Sequence, residues 1–211
     1  MIDAHGAVAA IESSRVVAIV REPSEDSAKR EVDRLLSAGI KVIEVSLSTP
    51  GALNVARWMT DRLDGEGVHF GVGTVLTLRD VKATADTGSS FIVSPISRAI
   101  LISTCKELGL ASVVGAMTPT ECVIAEDEGA DLLKLFPATL WTLGALGGLL
   151  QALPKLRIVP TGGIGLSNAK SWLDAGATAV GLGSALRTTG PVSELRDALA
   201  SLAIGLPAAA Q

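Results

Sequence analysis

Two charged residues stand where a buried strand would ordinarily carry none. Lys134 interrupts the apolar run Leu132-Leu133-Lys134-Leu135, and Glu44 interrupts Val42-Ile43-Glu44-Val45. A third, Arg21, follows the apolar run Val16–Val20 directly. A lysine set among Leu, Phe and Val loses hydration, which disfavours its ammonium form. The neutral amine attacks a carbonyl and becomes an iminium, an electron sink for breaking a carbon–carbon bond. That reaction also moves protons, and Glu44 is the available carboxylate, acting directly or through a water. Arg21 offers a bidentate fork for a substrate carboxylate. The plainer alternatives are a buried ion pair, a lysine that snorkels to the surface, and an arginine that merely ends a strand. A buried pair stabilises poorly, because desolvation offsets the attraction.

A second constellation is made of glycines. Thr161-Gly162-Gly163-Ile164 and Gly181-Leu182-Gly183-Ser184 each follow a short apolar run. Glycine lets backbone N–H groups approach an anion closely, so Thr161, Gly162, Gly163, Gly183 and Ser184 are candidates for holding a phosphate. Two tight turns are the alternative.

The elements that must position these residues alternate along the chain. β-Branched runs predict strands at Val16–Val20, Val42–Leu47, His69–Gly73, Phe91–Ser94, Ser112–Gly115, Leu132–Phe136, Arg157–Pro160 and Ala179–Gly181. Amphipathic stretches predict helices at Asp26–Ala38, Ala52–Leu63, Leu78–Thr87, Arg98–Leu108, Pro119–Glu128, Leu143–Leu153, Ser167–Ala175 and Val192–Ala203. Five of these helices end on Gly39, Gly88, Gly109, Gly129 and Gly176, in keeping with the left-handed turn that follows a helix. Eight such units predict an α/β fold, a single (β/α)8 TIM barrel. It occupies the whole 211-residue chain as one domain, with its core at about residues 16–204. The alternative, an open doubly wound sheet, would carry its glycine-rich fingerprint after the first strand, where this chain has Arg21-Glu22-Pro23.

Strand alternation then aims the charges. Glu44 shares a face with Val42 and Ser46, and Lys134 shares one with Leu132 and Phe136; Ile43, Val45, Leu133 and Leu135 face the helices. Both charges point into the barrel, and both come from even-numbered strands. Side-chain layers inside such barrels are drawn from alternate strands, so the two are expected near one level, facing each other at the end where these barrels carry their chemistry.

Composition bounds the rest. The chain carries 18 Lys and Arg against 22 Asp and Glu, a net charge of −4, with no basic run, which argues against nucleic acid as a partner. Aromatics make up 3%, so the core is aliphatic. Cys105 and Cys122 lie in helical stretches without metal-ligand spacing and are expected to be buried, reduced thiols of a cytoplasmic protein. With only two histidines, His5 outside the barrel and His69 at the far end of the third strand, neither a metal site nor a Ser-His-Asp triad assembles. Met1–Arg15 shows no export signal. Leu135–Leu153 is apolar over roughly a membrane's width, but Pro137 and its glycines favour a strand end, a loop and a short helix over a span. Trp58 and Trp172 fall in helices, and Trp141 is placed near the mouth, where an indole would narrow the pocket. The tail Pro207–Gln211 is expected to fray.

The phrases Val42-Ile43-Glu44-Val45, Gly71-Val72-Gly73-Thr74-Val75-Leu76, Ser94-Pro95, Lys134-Leu135-Phe136-Pro137-Ala138 and Pro160-Thr161-Gly162-Gly163-Ile164 occur in this order. Together they resemble the 2-keto-3-deoxy-6-phosphogluconate aldolase family, which includes 4-hydroxy-2-oxoglutarate and 2-keto-3-deoxy-6-phosphogalactonate aldolases. The resemblance runs from about Val16 to Ser184. It implies metal-independent, cofactor-free class I chemistry on a phosphorylated 2-keto acid, with pyruvate as a product, and usually a homotrimer. By this resemblance Lys134 is the Schiff-base lysine and Glu44 the general acid/base. Thr74, Pro95 and Phe136 line the pyruvate pocket, and Gly162, Gly163 and Ser184 hold the phosphate. Phosphogluconate-type members carry an arginine four residues after the glutamate, where this chain has Ser48. Phosphogalactonate-type members use one at the end of the first strand, matching Arg21. A phosphosugar isomerase or epimerase, or a non-catalytic barrel that binds a phosphorylated ligand, would need the phosphate loops without the amine chemistry of Lys134.

Overall fold

The computed structural model describes residues 3–63 and 65–203. The expected fraying of Pro207–Gln211 lies outside the described residues. In chain order the elements are α1 (Ala4–Ser14), β1 (Val16–Val20), α2 (Glu25–Ser37), β2 (Val42–Ser46), α3 (Ala52–Leu63), β3 (His69–Gly73), α4 (Leu78–Ala85) and β4 (Phe91–Val93). They continue with α5 (Ala99–Glu107), β5 (Ala111–Ala116), α6 (Pro119–Asp127), β6 (Leu132–Leu135), a 3-10 turn (Ala138–Leu140), α7 (Leu143–Ala152) and β7 (Ile158–Pro160). The last are α8 (Leu166–Asp174), β8 (Val180–Leu182), α9 (Ser184–Arg187) and α10 (Val192–Ala203).

All strands pair in parallel in the order β7-β6-β5-β4-β3-β2-β1-β8. The ring closes at β7 and β8 through a bridge between Thr161 and Gly181 and through the Thr178 N–H, which donates to the Ile158 carbonyl at 2.8 Å. This is a (β/α)8 barrel, and the open doubly wound alternative is excluded. Each helix-stopping glycine adopts the left-handed conformation, with φ from 73° at Gly109 to 103° at Gly176. Helix starts are fixed as locally as their ends. Thr77 and Thr118 each accept from the N–H three residues on, while Asp80 and Glu121 reach back to the cap.

The barrel wall separates two apolar populations. Ile43, Val45, Leu133 and Leu135 pack outward with the helices, while Val17, Val42, Phe91, Val93, Val113, Leu132 and Val159 fill the interior. Pairing register, followed around the ring with the stagger of about two residues per two strands that closes a barrel of this kind, sorts the interior into layers. The lowest even-strand layer is Val42, Phe91, Leu132 and Ala179, all buried. The next even-strand layer is Glu44, Val93, Lys134 and Gly181, so the two charges lie at one level on opposite walls. Above it come Ile19, Gly73, Gly115 and Thr161 from the odd strands. Glycines there and at Gly181 leave the width that two long charged side chains take up.

One element has no counterpart in the strand–helix periodicity. α1 precedes the first unit and plugs the barrel's lower end, with Ala7, Val8 and Ile11 buried against the interior cluster. Its cap is Asp3, whose carboxylate accepts from the Gly6 N–H at 2.8 Å. α9 and the 3-10 turn are too short to show a period, and several strands and helices end one or two residues earlier than periodicity predicts. The run Leu135–Leu153 breaks into the end of β6, the 3-10 turn and α7. No helix among the described residues is long and apolar enough to cross a membrane.

Candidate active site

A cavity of about 530 Å³ opens above the charged layer, at the C-terminal ends of the strands. Parity built it: Ile19 comes from β1 and Lys134 from β6, and Arg21, Phe136, Thr161 and Gly183 follow β1, β6, β7 and β8 on the inward face. Every residue singled out for substrate binding borders this space: Arg21, Thr74, Pro95, Phe136, Thr161, Gly162, Gly163, Gly183 and Ser184. Lys134 borders it too, with 7% of its surface exposed. Glu44 does not; at 2% exposed it lies under the floor.

The Lys134 ammonium nitrogen sits 5.1 Å from the centre of the Phe136 ring. Phe136 itself is 38% exposed and walls the amine's route to the opening. No salt bridge joins Lys134 to Glu44 among the described residues. The two are close enough that Lys134, and Arg21 after it, draw the Glu44 carboxyl downward, yet burial is the larger effect and pushes it above its ordinary value. An acid held in this way keeps its proton to higher pH than a solvated one, which suits a group that must both take and give a proton. Glu44 is folded over Gly73, where a β-carbon would collide with its carboxylate.

The rim beside Glu44 is a chain of hydroxyls. Ser46 Oγ lies 2.9 Å from Ser48 Oγ and 2.8 Å from Thr74 Oγ1. Thr74 holds φ at 63°, a left-handed conformation that a β-branched residue adopts at a cost of about 1–3 kcal/mol. Strain of this kind persists where the surroundings impose it, here at the cavity wall. Ser48, at the position where a family arginine would stand, is thus tied into this hydroxyl chain, while Arg21 is exposed and borders the cavity.

Opposite, the loops after β7 and β8 carry no obstruction. Gly162 and Gly163 are both left-handed, with φ of 89° and 77°. A β-carbon on Gly163 would strike the Thr139 methyl, and one on Gly181 would strike the Thr161 hydroxyl. Asn168 pins the first loop by donating to the Gly163 carbonyl at 3.2 Å and accepting from the Gly165 N–H at 2.8 Å. Among the described residues, the N–H groups of Gly162, Gly163, Gly183 and Ser184 donate to no protein acceptor. Unpaired N–H groups on consecutive glycines are the kind of donor that an anion can occupy.

Trp141 departs from its expected place. Its indole N–H donates to the Met117 carbonyl at 3.2 Å, and its ring packs on the outer core, so it does not narrow the cavity. His5 is exposed on α1, and His69 opens β3 at the lower end, away from the site. Cys105 and Cys122 are free and buried, and burial pushes their thiols up to about 12 and about 11. No cluster of metal-ligating side chains is present among the described residues. Sequence reasoning misses Glu22, Glu31 and Arg187 as cavity residues. Nothing in the local pattern marks them, since they lie on a loop, a charged helix and a short helical turn, where charge is ordinary in sequence.

Comparison with known proteins points the same way as the geometry. Residues 8–197 match the family model described as KDPG and KHG aldolase. The chain is 31% identical over 176 residues to a 2-dehydro-3-deoxy-6-phosphogalactonate aldolase of Escherichia coli (strain K12), covering 83% of this chain and 85% of the relative. It is 31% identical over 170 residues to a 2-dehydro-3-deoxy-phosphogluconate aldolase of Treponema pallidum, covering 78% of each. Among solved structures, a 2-keto-3-deoxy-6-phospho-gluconate aldolase from Zymomonas mobilis superposes with a TM-score of 0.80 at 28% identity, over 96% of this chain and 98% of that one.

Proposed function

This chain belongs to the KDPG and KHG aldolase family, and from that premise we propose that it cleaves a 2-keto-3-deoxy-6-phospho-sugar acid through an imine on Lys134. The observation that carries this reading is the Lys134 amine itself. It is almost buried, level with Glu44, and open only upward into the cavity beside Phe136. Lys134 Nζ attacks the C2 carbonyl, and loss of water leaves an iminium. Glu44, through a bound water, takes the proton of the C4 hydroxyl. The C3–C4 bond breaks, its electron pair flowing into the iminium, and glyceraldehyde 3-phosphate departs. The remaining enamine takes a proton at C3 from the same relay, and hydrolysis releases pyruvate and the free amine.

Arg21 is assigned to the keto-acid carboxylate, Thr74, Pro95 and Phe136 to the walls around the three-carbon fragment, and Thr161 to the inner wall instead of the phosphate, because its N–H already donates to the Leu135 carbonyl at 3.0 Å. The N–H groups of Gly162, Gly163, Gly183 and Ser184 are assigned to the phosphate. Arg21 on the cavity with Ser48 bound into a hydroxyl chain favours a galactonate-type substrate over its gluconate epimer. Cleavage of 4-hydroxy-2-oxoglutarate to pyruvate and glyoxylate needs the same carboxylate and amine and is proposed as a second activity.

We propose a cytoplasmic homotrimer. Supporting it are two free, buried thiols and four exposed apolar side chains, Leu76 and Ile96 from the β3–α4 and β4–α5 connections and Leu78 and Ile100 from the first turns of α4 and α5. Sedimentation as a monomer at working concentration would contradict the trimer.

The test of the mechanism is borohydride reduction with pyruvate, followed by intact-mass and peptide mass spectrometry. A pyruvyl adduct is expected on Lys134 and absent from Lys134→Ala. No adduct on the unaltered protein at saturating pyruvate would overturn the mechanism and leave an isomerase or a binding barrel.

A further inference from the structure

Five charged residues border the cavity, and three of them have partners or tasks already. Lys134 and Arg21 serve the keto-acid end in the proposed reaction. Glu31 is held by Arg34, whose Nε and Nη2 each donate to it at 2.8 Å. Glu22 and Arg187 face each other at the other end, with Arg187 Nη1 3.7 Å from Glu22 Oε1, too long for a hydrogen bond. Glu22 is the fixed member: its side chain is 11% exposed, and its backbone N–H donates to Thr49 Oγ1 at 3.1 Å. Arg187 is the free one, with 53% of its side chain exposed.

Arg187 stands three residues beyond Ser184, on the same side of α9 and next to the glycine loops. Its backbone is anchored. Arg34 Nη2 donates to the carbonyl of the preceding residue, Leu186, at 2.6 Å, tying α9 to α2. A phosphate entering between these loops brings a charge of about −1.5 to −2 into a space that Glu22 already makes negative. Neutral N–H groups alone do not balance that. At 3.7 Å the Glu22–Arg187 pair lacks a hydrogen bond and its guanidinium is half-exposed, so a dianion that offers closer oxygens draws the guanidinium toward itself.

Resting on the phosphorylated-substrate reading, we propose that Arg187 is the residue that makes this cavity select a terminal phosphate, exchanging Glu22 for the substrate's phosphate oxygens when the ligand binds. Glu22 sets the selectivity by competing for Arg187, and Arg34 is its positioning residue.

Two measurements test this. The first is titration of inorganic phosphate into the protein by calorimetry. Arg187→Ala is expected to weaken phosphate binding about ten-fold, in line with losing one partly solvated charge-assisted contact, and Arg187→Lys to recover part of it. The second compares kcat/KM for the 6-phosphorylated substrate with that for its unphosphorylated counterpart. In Arg187→Ala the ratio is expected to fall by about the same factor, through KM, and in Glu22→Gln to rise a few-fold. A ratio unchanged in Arg187→Ala, or a parallel loss on both substrates, would overturn the proposal. Failure of the aldolase reading looks different: the unaltered protein would trap no pyruvate, while the calorimetric comparison would still decide whether Arg187 binds phosphate.

Discussion

Gly73 lies so close beside the Glu44 carboxylate that a single β-carbon on it would occupy the space of Glu44 Oε1 and Cδ. The glycine comes from the strand next to the one that carries Glu44, with Ser46 as its register partner and Glu44 two residues lower on the same inward face. A small residue here leaves the space that the buried Glu44 carboxylate takes up at the barrel wall.

Gly73→Ala follows from that contact. The added methyl forces the carboxylate aside, and overpacking of this kind costs about 1–3 kcal/mol in stability. Displacement of a proton-transfer group by about an ångström is expected to lower kcat roughly 100-fold. Imine formation with pyruvate is expected to persist, since it depends on Lys134. Steady-state cleavage alongside borohydride trapping separates the two effects. Wild-type turnover in a folded Gly73→Ala protein would mean that the position of Glu44 is not used.

Glu44 also ties pH to both rate and stability. Burial raises it above the ordinary 4.5. The folded state therefore holds a proton that the unfolded chain gives up, and stability falls as pH rises from the unfolded value through the folded one. The penalty is complete above that window, at about 1.4 kcal/mol for each pH unit separating the folded and unfolded values. Glu44→Gln removes it, so the variant is expected to be more stable than the parent at pH 7.5, with the gap closing toward pH 4.5. Its kcat is expected to drop about 10²–10⁴-fold and to lose the rise with pH that marks ionisation of the base. Urea titrations at the two pH values, with a kcat profile, check this; a gap that does not change with pH would refute it.

The alternation of strands and helices was legible because buried parallel strands must be β-branched and helix ends need glycine. Inward aim was legible as well, because strand parity is rigid: Lys134 and Glu44 could be assigned to the interior from their neighbours alone. What escaped has physical reasons too. α1 buries one narrow face, Ala7, Val8 and Ile11, into a barrel end that no local pattern announces. Trp141 turned outward because its N–H found the Met117 carbonyl, a contact between units 24 residues apart. Arg187 and Glu22 meet across 165 residues of chain, and a pairing of that range has no local signature.

The plug formed by α1 predicts a stability effect separate from chemistry. Ile11 is fully buried against the lowest interior layer. Truncation by Ile11→Ala leaves a void that the closed barrel wall cannot collapse to fill, and is expected to cost about 2–5 kcal/mol. Urea unfolding measures this. KM is expected to stay near the parent's, since the cavity lies at the other end of the strands. A loss below about 1 kcal/mol would show that the helix detaches without consequence for the barrel.

Arg21 and Ser48 make opposite claims on the keto-acid carboxylate, and one series decides between them. Arg21 is exposed and borders the cavity, whereas the Ser48 hydroxyl is engaged with Ser46 and through it with Thr74. If Arg21 holds the carboxylate, Arg21→Ala removes a charge-assisted contact worth about 1.5–3 kcal/mol. The pyruvate concentration that half-saturates borohydride trapping is then expected to rise by roughly 10- to 150-fold. Arg21→Lys is expected to restore only part of this, because an ammonium cannot reproduce the planar fork. Ser48→Ala, which removes one hydroxyl at the edge of the chain, is expected to shift half-saturation by less than the arginine variant. The reverse order, with Ser48→Ala the more damaging, would move carboxylate recognition from the end of β1 to the hydroxyl rim above Glu44.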